Sequence, residues 1–444
     1  MKHAKLAALT LMLCGSTLAE SVNLTVSGLN TIAQKWYEQS VIPAVNKALA
    51  PQGKTIAVTY QNTASSAEAT KQQYALDLKA GRGADIMSFD GFWLPEFVAS
   101  GLIKPLDVVV GKNATQWDGW KQIPIGLQSI LGYQGKLYGI GQGSDVRGVY
   151  YRKDLFKKAG LPVPWNPKSW NDILDAAAKL KKALPDVTPL QINAGTPMGE
   201  ATTMQGYDML LLGTGIQMYD AAKQKWIVKA PGILDTLNFY KTVYLDDKLG
   251  ESRWQLIPTG RDLSFKAFMD GKLAMILEGD YLWRSVLNPL DPSGMKNRDQ
   301  AVAFTRMPAE KPGSGIRGQS HVTISGGTGY LINPNSKHPQ EAWALLSTMS
   351  SKDMLDAYQK LEPRIRVRKD VGIPSDKVMQ NMASTLLPIT VTRPMLPEYN
   401  KVSEQAQLMT ERVVSGQMTP QQAMDAYAAA VKQIVGADKT VELK

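Results

Sequence analysis

The sequence predicts an α/β fold in two domains, joined by a hinge and separated by a cleft. The chain has 444 residues, which is too long for one compact hydrophobic core. Strand-like and helix-like segments alternate along it, as they do in sheets covered by helices. No stretch rich in proline, glycine and serine divides the chain. Two domains without a linker require crossings on extended strands, and that topology creates a hinge and a cleft.

The alternation is clearest at the start of the chain. Three short segments have the apolar character of strands, and the two segments between them carry apolar residues at helical spacing. The predicted strands are residues 22–27, 56–60 and 84–88, and the predicted helices are residues 31–49 and 66–79. This order implies a parallel sheet covered by helices, because parallel neighbours need a crossover connection.

The rest of the chain continues the same pattern. Buried strands are predicted at residues 272–277, 302–305 and 329–332. Helices are predicted to begin after Ser169, at Pro339 and after Thr419, since each residue favours a helix start. Thr419 and Gln422 have the spacing of a capping box. The apolar stripes of these helices indicate core packing rather than function.

The first 19 residues have the pattern of a cleavable export signal. Two lysines precede an apolar run at residues 6–13, and small residues follow at the positions that a signal peptidase recognises. The apolar run is too short to span a membrane. Cleavage after Ala19 and a periplasmic location are therefore predicted. A buried N-terminal helix is the structural alternative. A lipid anchor on Cys14 is disfavoured because Leu13 stands where a lipoprotein signal needs a small residue.

Composition excludes several classes of site. Removal of the predicted signal leaves no cysteine, so disulfides and cysteine metal sites are excluded. The histidines that remain are His321 and His338, too few for multi-histidine metal sites and a poor basis for serine–histidine catalysis. No cofactor and no metal are expected.

The charge pattern argues against a nucleic-acid partner. The formal net charge is +10, but the basic residues are scattered among acids along the chain. Nucleic-acid binding needs a concentrated basic stripe with interleaved aromatic residues, and only residues 364–369 come close. The pattern favours a solvated surface, with some attraction to anionic membrane lipids.

Five segments spread along the chain resemble one known family. They are residues 83–107, beginning GADIMSFD; 135–156, beginning GKLYGI; 268–280, containing GKLAM; 326–343, beginning GG; and 393–399, beginning RP. Any one of them is a weak signal, whereas five in the same order are specific. The chain resembles the extracellular solute-binding proteins of carbohydrate ABC importers, the maltose-binding-like proteins of family 1.

That resemblance implies a two-lobe periplasmic-binding-protein fold with hinge strands and a central ligand cleft. The first lobe would combine residues 20–145 and 324–365, and the second lobe residues 146–323 and 366–444. The expected crossings lie near residues 145–148, 322–325 and 364–371. A member of this family would bind a small-molecule carbohydrate as a monomer and deliver it to membrane permease subunits of an ABC importer, without catalysing a reaction.

Sugar recognition requires two kinds of side chain. Carboxylates, amides and arginines bind hydroxyl groups, and an aromatic ring covers the apolar C–H face of a pyranose. Asp90 and Trp93 directly follow a predicted strand. Asp90 is expected to accept hydrogen bonds from the sugar, and Trp93 to stack on its ring. The structural alternatives are a carboxylate that caps the next helix and a tryptophan packed in the first lobe.

Two further pairs of candidates adjoin predicted strands. Asp145 and Arg147 lie just before the apparent hinge strand. The resemblance implies an acidic ligand contact at Asp145, and Arg147 either binds the ligand or pairs with Asp145. Asp280 and Tyr281 follow a buried strand. Similar proteins carry a tryptophan at the place of Tyr281, so this tyrosine is expected to stack on the sugar, unless Trp283 takes over instead of packing in the core.

The last candidates are glycines, arginines and hydroxyl groups. Gly326 and Gly327 lack a Cβ, which lets backbone N–H groups approach a ligand, although an ordinary turn is the alternative. Alternating arginines at residues 364–368 would point to one side of a strand, and the resemblance implies a ligand contact at Arg368. These arginines either favour an anionic sugar or pair with acids across the hinge. Further polar candidates from the second lobe are Thr202, Thr203 and Gln205.

Two other functions compete with sugar binding. A glycoside hydrolase or lyase would use a pair of carboxylates, for which Asp90, Asp145 and Asp280 are candidates. Release of reducing sugar would distinguish that function. A binding protein for another solute, such as a polyol, a glycerol phosphodiester or an opine, would share the fold and differ only in the site.

Overall fold

The structure is a computed structural model that describes residues 20–64 and 67–444, so the predicted export signal lies outside it. The strands of the two main sheets, in chain order, are β1 (Glu20–Ser27), β2 (Lys54–Gln61), β3 (Ile86–Asp90), β4 (Gly139–Ser144), β5 (Arg147–Arg152), β6 (Thr188–Ile192), β7 (Leu273–Gly279), β8 (Val302–Thr305) and β9 (Gly327–Ile332). Helices of at least eight residues are Ile42–Leu49, Ala67–Lys79, Trp170–Ala183, Pro231–Lys241, Gly260–Met269, Pro339–Met349, Lys352–Gln359, Lys377–Leu386, Tyr399–Val414 and Pro420–Val435. Within these ranges no helix is both long and apolar enough to cross a membrane.

The first sheet has the strand order β2-β1-β3-β9-β4. β1 pairs in parallel with β2 and with β3, as the alternation at the start of the chain predicts. β9 pairs antiparallel with β3 and β4, so the sheet is mixed rather than wholly parallel. The prediction of a parallel sheet is wrong at β9. The chain enters β9 after passing through the second sheet, and the alternation of strands and helices in the sequence does not indicate the direction of such a returning strand.

The second sheet has the order β8-β5-β7-β6. β5 pairs antiparallel with β7 and β8, and β7 pairs in parallel with β6. Every residue of β5 and β7 is buried, as expected for central strands of a sheet covered on both faces. The two sheets, each with its own helices, form the predicted two-lobe α/β architecture.

The chain passes between the sheets on extended segments. β4 ends at Ser144 in the first sheet and β5 begins at Arg147 in the second, so Asp145 and Val146 make one crossing. The short strand Ile324–Ser325 pairs with Val391–Thr392 just before β9 returns to the first sheet. The strands of each main sheet all come from one predicted lobe. The lobe boundaries themselves remain a prediction.

Helix starts predicted from caps are confirmed. Helix Trp170–Ala183 begins after Ser169, whose Oγ accepts from the N–H of Asp172 at 3.3 Å. Helix Pro420–Val435 begins with the capping box of Thr419 and Gln422, in which each side chain accepts from the other residue's N–H. Local side-chain chemistry therefore sets both boundaries correctly.

The third strand is shifted by two residues from its predicted position. It begins at Ile86 and ends at Asp90, whereas residues 84–88 were expected. The carboxylate of Asp85, rather than a backbone carbonyl, accepts from the N–H of Thr25 at 2.8 Å, which delays strand pairing. Asp90 is consequently the last residue of β3.

Candidate ligand site

A cavity of about 450 Å³ lies where the two predicted lobes meet. Its first-lobe walls include Glu68, Ser88, Asp90, Trp93 and Thr328. Its second-lobe walls include Glu200, Arg261, Asp262, Phe265 and Tyr281. Because both lobes supply polar and aromatic side chains to it, this cleft cavity is the candidate ligand site.

Asp90 lies in the cleft cavity, as predicted. It ends β3 and precedes the helical turn Gly91–Trp93, but its side chain makes no capping hydrogen bond to that turn. The side chain keeps 28% of its surface exposed. Burial raises the pKa of Asp90, the cation of Arg393 opposes the shift, and Asp145 and Glu200 add to it. A carboxylate in this position can accept from a hydroxyl group.

Arg393 joins the two lobes beside the cavity. Its Nη2 donates to Oδ1 of Asp90 at 3.1 Å, and its Nη1 donates to Oε1 of Glu200 at 3.0 Å. The guanidinium also lies over the ring of Phe92, 4.0 Å from the ring centroid. Arg393 therefore forms an ion pair with one acid from each lobe.

Glu200 is the most firmly held acid of the site. The hydroxyl of Tyr399 donates to its Oε1 at 2.5 Å, and the hydroxyl of Ser403 donates to its Oε2 at 2.6 Å. Its backbone N–H donates to Oε1 of Glu68 at 3.0 Å, which makes a second link between the lobes. The preceding Gly199 has φ +55°, and a Cβ there would lie 2.2 Å from Oε2 of Glu68. Only glycine allows this approach.

Tyr281 presents the exposed ring of the cavity. It is 44% exposed, whereas the other aromatic residues of the walls, Trp93 and Phe265, are 5% and 7% exposed. The ring of Trp93 packs edge-on against Phe89 at a centroid distance of 5.3 Å. Trp93 thus follows its structural alternative of core packing, with one side at the cavity. The guanidinium of Arg284 lies 5.6 Å from the centroid of the Tyr281 ring, and the exposed part of the ring is available to a ligand.

Asp145 and Arg147 pair with each other at the hinge and do not line the cleft cavity. Nη1 of Arg147 donates to Oδ1 of Asp145, and Nη2 donates to Oδ2 at 3.3 Å. The N–H of Gly326 donates to Oδ1 of Asp145 at 2.5 Å. Burial opposes ionisation of Asp145, but Arg147 and this N–H outweigh it and lower its pKa to about 2. The structure therefore favours the hinge role that was the alternative for this pair.

Asp280 lies behind Tyr281 and is completely buried. Nε of Arg284 donates to its Oδ1 at 3.1 Å, and within the described part of the chain its Oδ2 has no hydrogen-bond partner. Arg284 also pairs with Glu362. Burial raises the pKa of Asp280, and Arg284 opposes the shift. Asp280 belongs to a buried ionic cluster next to the cavity rather than to its walls.

The predicted placement of Arg368 in the cleft is not what the structure shows. Its Nη2 donates to Oδ2 of Asp370 at 2.8 Å, and its guanidinium lies over the ring of Trp117 at 5.9 Å. Arg366 similarly lies over the ring of Tyr358 at 4.7 Å. These arginines are stacked and buried because aromatic rings of the first lobe cover them.

Gly327 and the hydroxyl candidates also lie outside the cleft cavity. Gly327 lines a neighbouring cavity of about 100 Å³, where a Cβ would lie 2.6 Å from the side chain of Ile130. The hydroxyl of Thr202 donates to the carbonyl of Gly195 at 2.7 Å, and that of Thr203 pairs with Ser403. These contacts stabilise the second lobe internally.

Residues 35–356 of the chain match the family model of the bacterial extracellular solute-binding proteins. The chain belongs to this family. A solute-binding protein of this family serves an ABC importer and is a transport component rather than an enzyme, so the hydrolase alternative loses its basis.

Individual relatives agree with the family. A protein of Brucella abortus (strain 2308), provisionally named a binding protein, is 25% identical over 439 residues, covering 98% of each chain. The sn-glycerol-3-phosphate-binding periplasmic protein of Escherichia coli (strain K12) is 34% identical over 118 residues, covering 26% of this chain and 24% of its own.

A solved structure shares the two-lobe fold. It is an ABC transporter solute-binding protein of Thermotoga lettingae bound with α-D-tagatose, with a TM-score of 0.76 and 23% identity, covering 94% of this solute-binding protein and 100% of that chain. This likeness confirms the expected fold.

Proposed function

We propose that this solute-binding protein captures a sugar, either a monosaccharide or an oligosaccharide, in the cleft cavity and delivers it to an ABC permease from the periplasm. The observation that carries the proposal is the composition of the cavity. An exposed ring, that of Tyr281, and the carboxylate of Asp90 line the same cavity, and the two come from different lobes. A pyranose needs such a pair, because its C–H face is apolar and its rim carries hydroxyl groups.

Lobe closure supplies the signal in this proposal. A ligand that contacts Asp90 on one lobe and Tyr281 on the other stabilises the closed arrangement, since only that arrangement offers both contacts. The hydrogen bonds from Arg393 to Asp90 and from the N–H of Glu200 to Glu68 stabilise the same closed arrangement. The permease would then recognise the surface that the closed lobes form together.

The direct test is binding of mono- and oligosaccharides to the purified mature protein. We expect at least one sugar to raise the melting temperature, because it binds only the folded state. Tyr281→Ala should weaken the binding of that sugar about tenfold, measured by calorimetry, because the loss of one aromatic contact has an effect of this size. Leu263→Ala is the matched control. Leu263 lies on helix Gly260–Met269, is 39% exposed and does not line the cavity.

A second candidate solute is glycerol phosphate, because a stretch of the chain is similar to the Escherichia coli protein that binds it. The same screen therefore includes sn-glycerol 3-phosphate and ribitol. Stabilisation by the phosphate alone would replace the sugar proposal with this second one. Release of reducing sugar from a glycoside by the purified protein would contradict both.

A further inference from the structure

The walls of the cleft cavity are rich in acids. Among the described residues that line it, Glu68, Asp90, Glu200 and Asp262 are acidic, and Arg261 is the one basic residue. Four different elements, two from each lobe, contribute these carboxylates. A ligand enclosed here would be surrounded mainly by negative charge.

The nearby cations are already engaged. Arg261 donates from Nε and Nη2 to the two carboxylate oxygens of Glu278, at 2.9 and 3.0 Å, and Glu278 is completely buried. Arg393 is shared between Asp90 and Glu200, so one positive charge meets two negative ones. Neither guanidinium is left to bind an anion.

The remaining acids lack such compensation. Within the described residues, no ion pair engages Glu68 or Asp262. A further cation, Arg364, donates from its Nη2 to the hydroxyl of Thr328. Arg364 lies behind Thr328 in the buried cluster with Glu362 and is not part of the cavity walls. The cavity therefore keeps an excess of negative charge.

We infer that the solute taken by this cleft carries a positive charge, as an amino sugar or another ammonium-bearing polyol does, and that anionic sugars and phosphates are rejected. The inference rests on the proposed function of the same cleft. An ammonium group gains from the carboxylates and from the exposed ring of Tyr281, whose face attracts cations. A carboxylate or phosphate in the same place meets like charge, and the arginine of the cavity walls, Arg261, is already paired with Glu278.

The test compares three sugars of nearly equal shape and different charge. D-glucosamine, D-glucose and D-glucuronate are titrated into the full mature protein at low salt and about pH 6, where the amine is protonated. We expect glucosamine to bind about tenfold more tightly than glucose, and glucuronate to bind more weakly than either. Added salt should narrow the difference between glucosamine and glucose.

A charge-removal variant locates the effect. Asp262→Asn should reduce the preference for glucosamine over glucose about threefold, because it removes one negative charge from the cavity walls and little volume. Asp270→Asn is the control, since Asp270 follows the same helix, Gly260–Met269, pairs with Lys266 and lies outside the cavity. Melting temperatures without ligand check that both variants are folded.

The outcomes separate the two proposals. Glucuronate binding as tight as glucosamine binding, or a preference unchanged in Asp262→Asn, overturns the charge inference while the cleft still binds a sugar. Absence of binding by all three sugars, and by every neutral saccharide of the wider screen, removes the proposed function and this inference together.

Discussion

At the scale of single residues, Asp208 shows how burial alone changes a carboxylate. It is 6% exposed and lines a second cavity, of about 440 Å³, outside the cleft. Burial raises the pKa of Asp208 to about 8, Glu200 adds to the shift, and Arg393 opposes it. The folded protein therefore keeps this proton at neutral pH, whereas the unfolded chain loses it near pH 4.

The sign of the resulting pH dependence follows. Between about pH 4 and pH 8 the folded state holds a proton that the unfolded state lacks, so stability falls as pH rises, by up to about 1.4 kcal/mol per pH unit. Asp208→Asn removes this dependence. Its free energy of unfolding should increase relative to the parent protein as pH is raised through this window, measured by urea unfolding at several pH values.

The matching control for that experiment is Asp118→Asn. Asp118 is exposed and pairs with Lys121, which lowers its pKa, so its removal should not reproduce the trend. A difference between Asp208→Asn and the parent that stays constant with pH would show that Asp208 is ionised in the folded protein.

At the scale of elements, one helical turn explains why Tyr281 and Trp283 have different roles. Residues two apart on a helix point to nearly opposite sides. Tyr281, which precedes the turn Leu282–Val286, faces the cleft cavity. Trp283 lines a different cavity, of about 660 Å³, where Arg298 lies 3.9 Å from its ring centroid. Stacking by Trp283 on the same ligand is therefore excluded by geometry.

The capping box of helix Pro420–Val435 provides a prediction for an element. Thr419→Ala removes the side chain that accepts from the N–H of Gln422, and should lower the free energy of unfolding by about 1 kcal/mol. Thr419→Ser keeps the acceptor and should stay close to the parent. Equal losses in both variants, measured by urea unfolding, would mean that the methyl group rather than the cap is important.

At the scale of the whole molecule, Arg393 links the two predicted lobes. It contacts Asp90 from the first lobe and Glu200 from the second, and these acids have no other arginine or lysine partner among the described ion pairs. Removing the cation leaves the partly buried carboxylate of Asp90 and the buried carboxylate of Glu200 without their shared partner. Their repulsion should favour separation of the lobes.

Arg393→Gln should therefore increase the radius of gyration measured by small-angle X-ray scattering, and destabilise the protein by about 3–5 kcal/mol. Arg152→Gln is the control, because Arg152 is equally buried but pairs with Asp154 inside the second lobe. It should destabilise the protein without changing its dimensions. An unchanged radius for Arg393→Gln would contradict a role of this arginine in lobe closure.

Much of the fold and part of the site could be predicted from local features. Alternation of apolar segments predicts β1, β2 and β3 and their parallel order, and Ser169 and Thr419 predict the starts of their helices. Asp90 is predicted in the site because it follows a predicted strand, and Tyr281 because it follows a buried strand at a place where similar proteins carry a tryptophan. Such positions depend on the residue and its immediate neighbours, which the sequence records directly.

The remaining features depend on contacts between distant segments. The antiparallel entry of β9, the contact of Asp145 with the N–H of Gly326 and the covering of Arg368 by Trp117 were decided by the tertiary structure. The acids Glu68 and Glu200 meet at the cleft although they are 132 positions apart in the sequence. The sequence by itself determined which groups are acidic, aromatic or strand-forming. Packing decided which of these groups face a common cavity, because the free energy of a buried charge depends on all its neighbours.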